Sequence, residues 1–416
     1  MKEVKRDTYL EKLIEARGIN LIKVITGIRR CGKSYLLDPI FKNYLINDGV
    51  PESHIIHLNL EERINQRFLD PDLLYRYIKG CVHDGGDYYA LLDEIQLVPE
   101  FESVLNSFLH IDNLDVYVTG SNSRFLSSDI ITEFRGRSEE IQMYPLSFSE
   151  FFSAYEGDKY QAWTEYMKYG GLPLVLEHRD ESSKMEFLIN QQKNIYLRDM
   201  IDRHHIKNDV ALRSLIEIVA SSVGSLTNPY KLERAFKSMA GIELSYNTID
   251  DYLKKLEEAF LIEKSERYDV KGKHYIDTPQ KYYFSDPGIR NSFVGFRQYE
   301  ENHIMENIIY NELRRRGYQV DVGVVEVREG DDKKQLEIDF VANRGDRRYY
   351  IQSALTLGER DKMIQELRPL KNTDDFFKRI VLTGDLMRPS REQSGIVIMN
   401  VLDFLLDEKS LDKEMS

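Results

Sequence analysis

Cysteine is almost missing from this sequence of 416 residues: Cys31 and Cys81 are its only two thiols. Two cysteines cannot supply a disulfide framework or a multi-cysteine zinc site, and their scarcity fits a reducing compartment. Long apolar runs are lacking as well. No stretch approaches the ~18 apolar residues of a membrane-spanning helix. The opening MKEVKRDTYLEKLIEARG alternates charged with apolar residues and has no apolar signal-peptide core. A cytoplasmic, soluble chain with no membrane partner is the expectation. Positive charge is not in excess either: 57 Lys+Arg stand against 70 Asp+Glu, a net charge of −13. That balance excludes a basic coat for non-specific nucleic-acid binding and leaves room only for a local basic face. Fixed-period repeats and low-complexity tracts are absent, which argues against solenoids and linker-dominated chains.

What is present is ordinary globular material, 42% hydrophobic and 31% charged, long enough for two to four domains. Between residues 20 and 150, strand-like runs (Leu21–Thr26, His54–Leu60, Tyr88–Leu92, Val116–Thr119) alternate with helical ones (Gly32–Leu45, Pro71–Val82, Phe101–Ile111). That alternation predicts an α/β fold built on a parallel sheet with helices on both faces. Beyond Ser149 the pattern turns helical, broken by Gly170-Gly171-Leu172-Pro173. Ile249, Tyr252, Leu253, Leu256 and Phe260 then mark an amphipathic helix over Ser245–Leu261, followed by strands near Ile262–Tyr268 and Lys281–Phe284. A last section has a helix to Arg315 and strands at Val320–Val327, Leu336–Ala342 and Arg348–Ala354. The expected divisions are 1–150, 151–297 and 298–416.

Gly27-Ile28-Arg29-Arg30-Cys31-Gly32-Lys33-Ser34 matches G-x-x-x-x-G-K-[ST] in full, between a strand and a helix, as a phosphate loop (P-loop) requires. Glycines let successive backbone N–H groups turn toward phosphate oxygens. Lys33 would place its charge on the β- and γ-phosphates of ATP, and the Ser34 hydroxyl would ligate Mg²⁺. Tyr35, next on the first helical turn, is counted with Gly27–Ser34 among the nucleotide-binding residues. The strand Tyr88–Leu92 ends in Asp93-Glu94, beside the loop at the carboxyl edge of such a sheet. Asp93 would hold Mg²⁺ through water and Glu94 would orient the attacking water, a division of roles that marks a hydrolase. Ser121 or Asn122, after the strand ending at Thr119, could sense the γ-phosphate; an ordinary Thr-Gly-Ser turn is the plainer reading. Arg135 and Arg137 in Phe134-Arg135-Gly136-Arg137 could stabilise transition-state charge, in cis or from a neighbouring subunit, or simply pair with Glu133, Glu139 or Glu140. Cys31, set among Arg29, Arg30 and Lys33, is expected either to be a reactive thiol that ATP protects or a small filler residue.

GIRRCGKS, LLDEIQ, VTGSNS, EFRGR, YPLSFSEFF, YGGLP and IYLRDMI together resemble the AAA-type ATPases fused to a C-terminal domain of unknown function, over nearly the whole chain. The resemblance implies a P-loop NTPase core, a helical lid, a winged-helix region and a degenerate nuclease-like α/β domain, with ATP and Mg²⁺ as ligand and cofactor. It also places Arg198 and Asp199 on the family's lid R-D pair, with Arg198 a weak candidate sensor. In the winged-helix comparison Ser245 or Asn247 caps the recognition helix, and Val270-Lys271-Gly272-Lys273 forms the wing. Residues 254–281 hold seven Lys/Arg and six Asp/Glu, too near neutrality for strong phosphate-driven DNA affinity. Glu306, Asp339 and Tyr350-Ile351-Gln352-Ser353-Ala354 resemble the order of a restriction-endonuclease-like site, with two departures. Gln352 stands where the metal-binding Glu belongs, and Ala354 where the Lys belongs, which predicts a pseudo-nuclease. The reading is an ATPase whose turnover moves its C-terminal modules. A non-hydrolysing ATP-dependent switch binding protein partners, a DNA-binding or DNA-processing ATPase, and the oligomeric state all stay open.

Overall fold

The computed structural model describes residues 4–120, 136–206, 208–239, 244–297, 299–330, 332–358 and 360–413. They fall into two compact units divided between Pro145 and Leu146, with Glu258–Phe260 belonging to the first.

In the first unit β1 (Ile22–Thr26), β2 (Ile55–Asn59), β3 (Tyr88–Asp93), β4 (Leu114–Thr119) and β5 (Ser138–Gln142) form one sheet in the order β2-β3-β4-β1-β5. All four neighbouring pairs are parallel. β1 and β3 are buried along their whole length, as strands covered on both faces must be. One face presents Ile22, Val24, Ile56, Leu58, Ala90, Leu92, Val116 and Val118 to a core shared with Leu74 and Ile78 of helix Pro71–Cys81 and Phe101, Leu105 and Phe108 of helix Phe101–Phe108. Asp70 caps the first of these by accepting the Leu73 N–H at 2.9 Å, with Pro71 at the position where a missing N–H costs nothing. The helix expected over Gly32–Leu45 is interrupted: Asp38 leaves helical geometry (φ −140°, ψ 116°). The cause is local, because Pro39 restricts the residue before it and offers no N–H to the helix.

The second unit opens with helices and closes on a mixed sheet. Ser147 and Glu150 cap helix Phe148–Ala154 reciprocally. The Gly170-Gly171 breaker has a steric reason. A Cβ on Gly170 would lie 2.1 Å from Asp286 Oδ1, and one on Gly171 would lie 2.2 Å from the Leu146 carbonyl oxygen. Helix Tyr246–Glu258 buries Ile249, Tyr252, Leu253 and Leu256, and Ser245 accepts the Thr248 N–H at its start. The strands are β6 (Ile262–Asp269), β7 (His274–Phe284), β8 (Gln319–Glu329), β9 (Asp332–Arg344), β10 (Arg347–Ala354), β11 (Lys378–Thr383), β12 (Ser390–Arg391) and β13 (Val397–Asn400). Their order is β12-β13-β11-β10-β9-β8-β6-β7. The β6–β7 hairpin expected as a wing belongs to this sheet, since Arg267–Asp269 pairs in parallel with Val322–Val324 of β8. The sheet runs across the division expected at 297. Val325, Ile338, Val341, Tyr350, Val381 and Ile398 carry its core against Leu367 and Leu370 of helix Arg360–Lys371.

Candidate nucleotide site

The loop after β1 is shaped by close approach. Gly27 has φ +137°, and a Cβ there would lie 2.1 Å from the Met143 carbonyl oxygen, so only glycine fits. Gly32 (φ +105°) precedes the helical turn Lys33–Tyr35. Lys33 is buried at 5% exposure and donates to the carbonyls of Gly27 at 2.9 Å and Ile28 at 3.1 Å. Ile28 is buried; Arg29 is half-buried, and Arg30 is exposed in the left-handed region (φ +67°). Tyr35 is exposed.

Asp93 ends β3 at the same edge, almost wholly buried. Burial pushes its carboxyl up, while hydrogen bonds from Thr119 and Ser34 and the charge of Lys33 pull it back. The two residues expected to hold Mg²⁺, Ser34 and Asp93, are thus brought together. Thr119, the last residue of β4, is the residue that sequence reasoning missed. Its buried hydroxyl donates to Asp93 Oδ1 and accepts the Glu94 N–H at 2.9 Å. Glu94 sits in a left-handed turn (φ +56°), and its carboxylate accepts from Gln96 Nε2. Glu61, just beyond β2, completes the electrostatics. Burial and the charges of Glu94 and Asp93 push its carboxyl up, with Arg29 and Arg30 opposing them. The strand pairing Asn59↔Asp93 puts the two strand ends side by side, which is the signal that could have found Glu61.

Ser121, Asn122 and Arg135 lie outside the described residues. Arg137 is exposed and sits at the wrong edge for a role in its own site. Its carbonyl accepts the Ile22 N–H at the start of β1, whereas the phosphate loop leaves the end of that strand. Five residues of strand separate the two edges by about 16 Å, beyond an arginine's reach, so the cis reading of Arg137 is corrected. Cys31 also departs from the reactive reading. Its thiol is fully buried and donates to the Met143 carbonyl at 3.6 Å. In the second unit Arg198 is exposed and pairs with Asp202 at 3.5 Å.

The nuclease-like positions of the second unit do converge. The Asp339 N–H points to Gln352 Oε1 at 3.4 Å, the Ser353 N–H donates to Asp339 Oδ2 at 2.8 Å, and Glu306 lies on helix Glu301–Arg315 nearby. Ala354 is buried. The cation in their midst is Lys281 of β7, which hydrogen-bonds both Glu306 and Asp339.

A family model described as an AAA domain matches residues 20–152, and models of two domains of unknown function match residues 160–300 and 301–404. An uncharacterized protein of Haemophilus influenzae is 36% identical over 409 residues, 97% of this chain and 98% of its own length. An uncharacterized protein of Methanocaldococcus jannaschii is 30% identical over 378 residues, 86% of this chain and 80% of its own. Among solved structures, a Walker-type ATPase of Pyrococcus abyssi is similar over 70% of this chain and 96% of its own, at 15% identity and a TM-score of 0.47. The ORC1 protein of Aeropyrum pernix, solved in complex with DNA, covers 70% and 92% at 12% identity and a TM-score of 0.34. Among the described residues, no helix is long and apolar enough to cross a membrane.

Proposed function

This chain belongs to the family of AAA-domain proteins that carry two C-terminal domains of unknown function, and from that premise we propose that it binds ATP with Mg²⁺ at Gly27–Ser34 and hydrolyses it. The observation that carries the reading is the junction of Ser34, Asp93, Thr119 and Glu94 at one sheet edge. A hydroxyl and a carboxylate hydrogen-bonded to each other are hard oxygen donors of the kind Mg²⁺ takes alongside phosphate oxygens and water. Ser34 would hold the ion directly and Asp93 through water, and the ion supplies neutralisation of charge on the β- and γ-phosphates. Lys33, now donating to two loop carbonyls, exchanges them for phosphate oxygens. Glu94 orients and deprotonates the attacking water, with its backbone fixed by Thr119 and its carboxylate held by Gln96.

In this reading residues 1–150 are the ATPase core, and turnover rearranges a helical lid and winged-helix region over 151–297 together with the nuclease-like domain over 298–416. Arg135, in cis or from a second copy, or Arg137 from a second copy completes the site, in the cytoplasm. Phosphate release by the wild type and Glu94→Gln tests the proposal. The variant should retain ATP and lose about a hundredfold or more of the rate, the usual contribution of a general base. A wild type that binds ATP and releases no phosphate would identify a non-hydrolysing switch instead.

A further inference from the structure

The second unit holds a buried cation that its sequence motifs did not announce. The Lys281 side chain is 3% exposed, and its Nζ lies 2.8 Å from Glu306 Oε1, 2.8 Å from Glu337 Oε1 and 3.4 Å from Asp339 Oδ1. A buried amine needs partners, and these three carboxyl groups pair it where it stands. The carboxylates are aimed from outside. Tyr283 OH donates to Glu306 Oε1 at 2.7 Å, and the Ser353 N–H donates to Asp339 Oδ2 at 2.8 Å. Between the pairs Asp321↔Val341 and Gly323↔Ile338 strand β9 has one residue more than β8, so Asp339 leaves the regular ladder, which is how a bulge re-aims a side chain.

Three carboxylates around one point are what a hard divalent cation uses, at oxygen distances of about 2.0–2.6 Å. Here the point is taken by an ammonium on longer bonds. Among the described residues no group of three or more His, Cys, Asp or Glu side chains is set to hold a metal. Gln352, in place of the expected carboxylate, donates to Glu366 Oε2 at 3.0 Å, away from the ammonium. His303 Nδ1 lies 3.8 Å from Glu306 Oε2, and without the lysine no ammonium stands between the three carboxyl groups, so a divalent ion could use the space.

We propose that the Lys281 ammonium is the resident cation of this cluster, standing where a divalent metal would sit, and that removing it opens a divalent-cation site formed by Glu306, Glu337 and Asp339. The wild-type centre is then closed to metal, whatever the first unit does with ATP. The inference stands apart from the ATPase reading.

Mn²⁺ is the probe, on the full chain without nucleotide. By electron paramagnetic resonance, Lys281→Ala should gain one Mn²⁺ per chain over wild type, and Lys281→Ala combined with Asp339→Asn should lose it. Lys281→Gln, which keeps polar donors in the cavity, repeats the test should the alanine variant not fold. A third arm needs no substitution. Reductive methylation mapped by mass spectrometry should leave Lys281 unmodified, with or without millimolar Mn²⁺, while the exposed Lys273 reacts. Mn²⁺ binding to wild type that Asp339→Asn abolishes would overturn the proposal. So would methylation of Lys281 once Mn²⁺ is added, or folded Lys281 variants without an Asp339-dependent site.

Discussion

Thr119→Val probes the junction between binding and chemistry with the smallest change in shape. Valine keeps the branched outline and removes the hydroxyl, so packing in β4 is preserved while two hydrogen bonds are lost. Asp93, 2% exposed, loses the donor on Oδ1, and the Glu94 N–H loses its acceptor at 2.9 Å. Each buried polar group left unsatisfied costs about 1–3 kcal/mol. Asp93 keeps its hydrogen bond from Ser34 and the Glu94 N–H is only partly buried, so the two losses together should lower stability by about 1–3 kcal/mol. With one fewer donor, burial pushes the Asp93 carboxyl further up, weakening the ionised form that a cation needs.

The same substitution frees the turn that aims Glu94. If about 1.4 kcal/mol of the loss falls on the transition state, turnover drops about tenfold. The assays are thermal unfolding of the nucleotide-free protein and phosphate release at saturating ATP. Thr119→Ser is the control, since it keeps the hydroxyl and loses a methyl group; its turnover should stay near wild type. A valine variant that unfolds and turns over as the wild type does would refute the role given to Thr119. A serine variant as impaired as valine would assign the effect to the methyl group instead.

Gly27→Ala should abolish ATP binding and destabilise the first unit by about 2–6 kcal/mol, from overpacking and backbone strain together. The added Cβ meets the Met143 oxygen at 2.1 Å at φ +137°; wild-type ATP affinity would sink this account. Iodoacetamide should label the partly exposed Cys81 before the buried Cys31 in folded protein, and labelling of Cys31 first, read by peptide mass mapping, would restore the reactive-thiol reading. Asp286 gives the pH test. Burial pushes its carboxyl up to about 6, against hydrogen bonds from Gly171, Ile289 and Gly288. A carboxyl raised in the folded state binds its proton more tightly there than in the unfolded chain. The resulting stability is complete below the unfolded value near 4 and is lost as pH rises through 6, an effect of up to about 3 kcal/mol. The stability difference between wild type and Asp286→Asn should therefore narrow between pH 4 and 7, and a constant difference by urea unfolding would refute the shift.

The candidate nucleotide site was legible because its parts are spelled at strand ends. Phosphate loop and acidic pair each follow a short apolar run, and in a parallel sheet every such end lies on one edge. The same rule contained what was overlooked. Residues at and beyond the end of a parallel strand share the site's edge, which includes Thr119 at the end of β4 and Glu61 beyond β2. Residues that precede a parallel strand lie on the opposite edge, and Arg137 stands directly before β5. Motif order alone carries no sign for this; strand direction does.

Lys281 is a different kind of omission. In Pro279-Gln280-Lys281-Tyr282-Tyr283-Phe284 it is simply the lysine that opens an expected strand. Its partners Glu306, Glu337 and Asp339 lie on a helix and on a strand that is not its neighbour in the sheet. No spacing rule joins residues that meet only once two strands of an eight-stranded sheet and a helix have come together. The nuclease-like pattern calls for a lysine at position 354, where this chain has alanine. The structure supplies the positive charge from β7, so a missing motif residue shows where a charge is not encoded and says nothing of whether the fold brings one there.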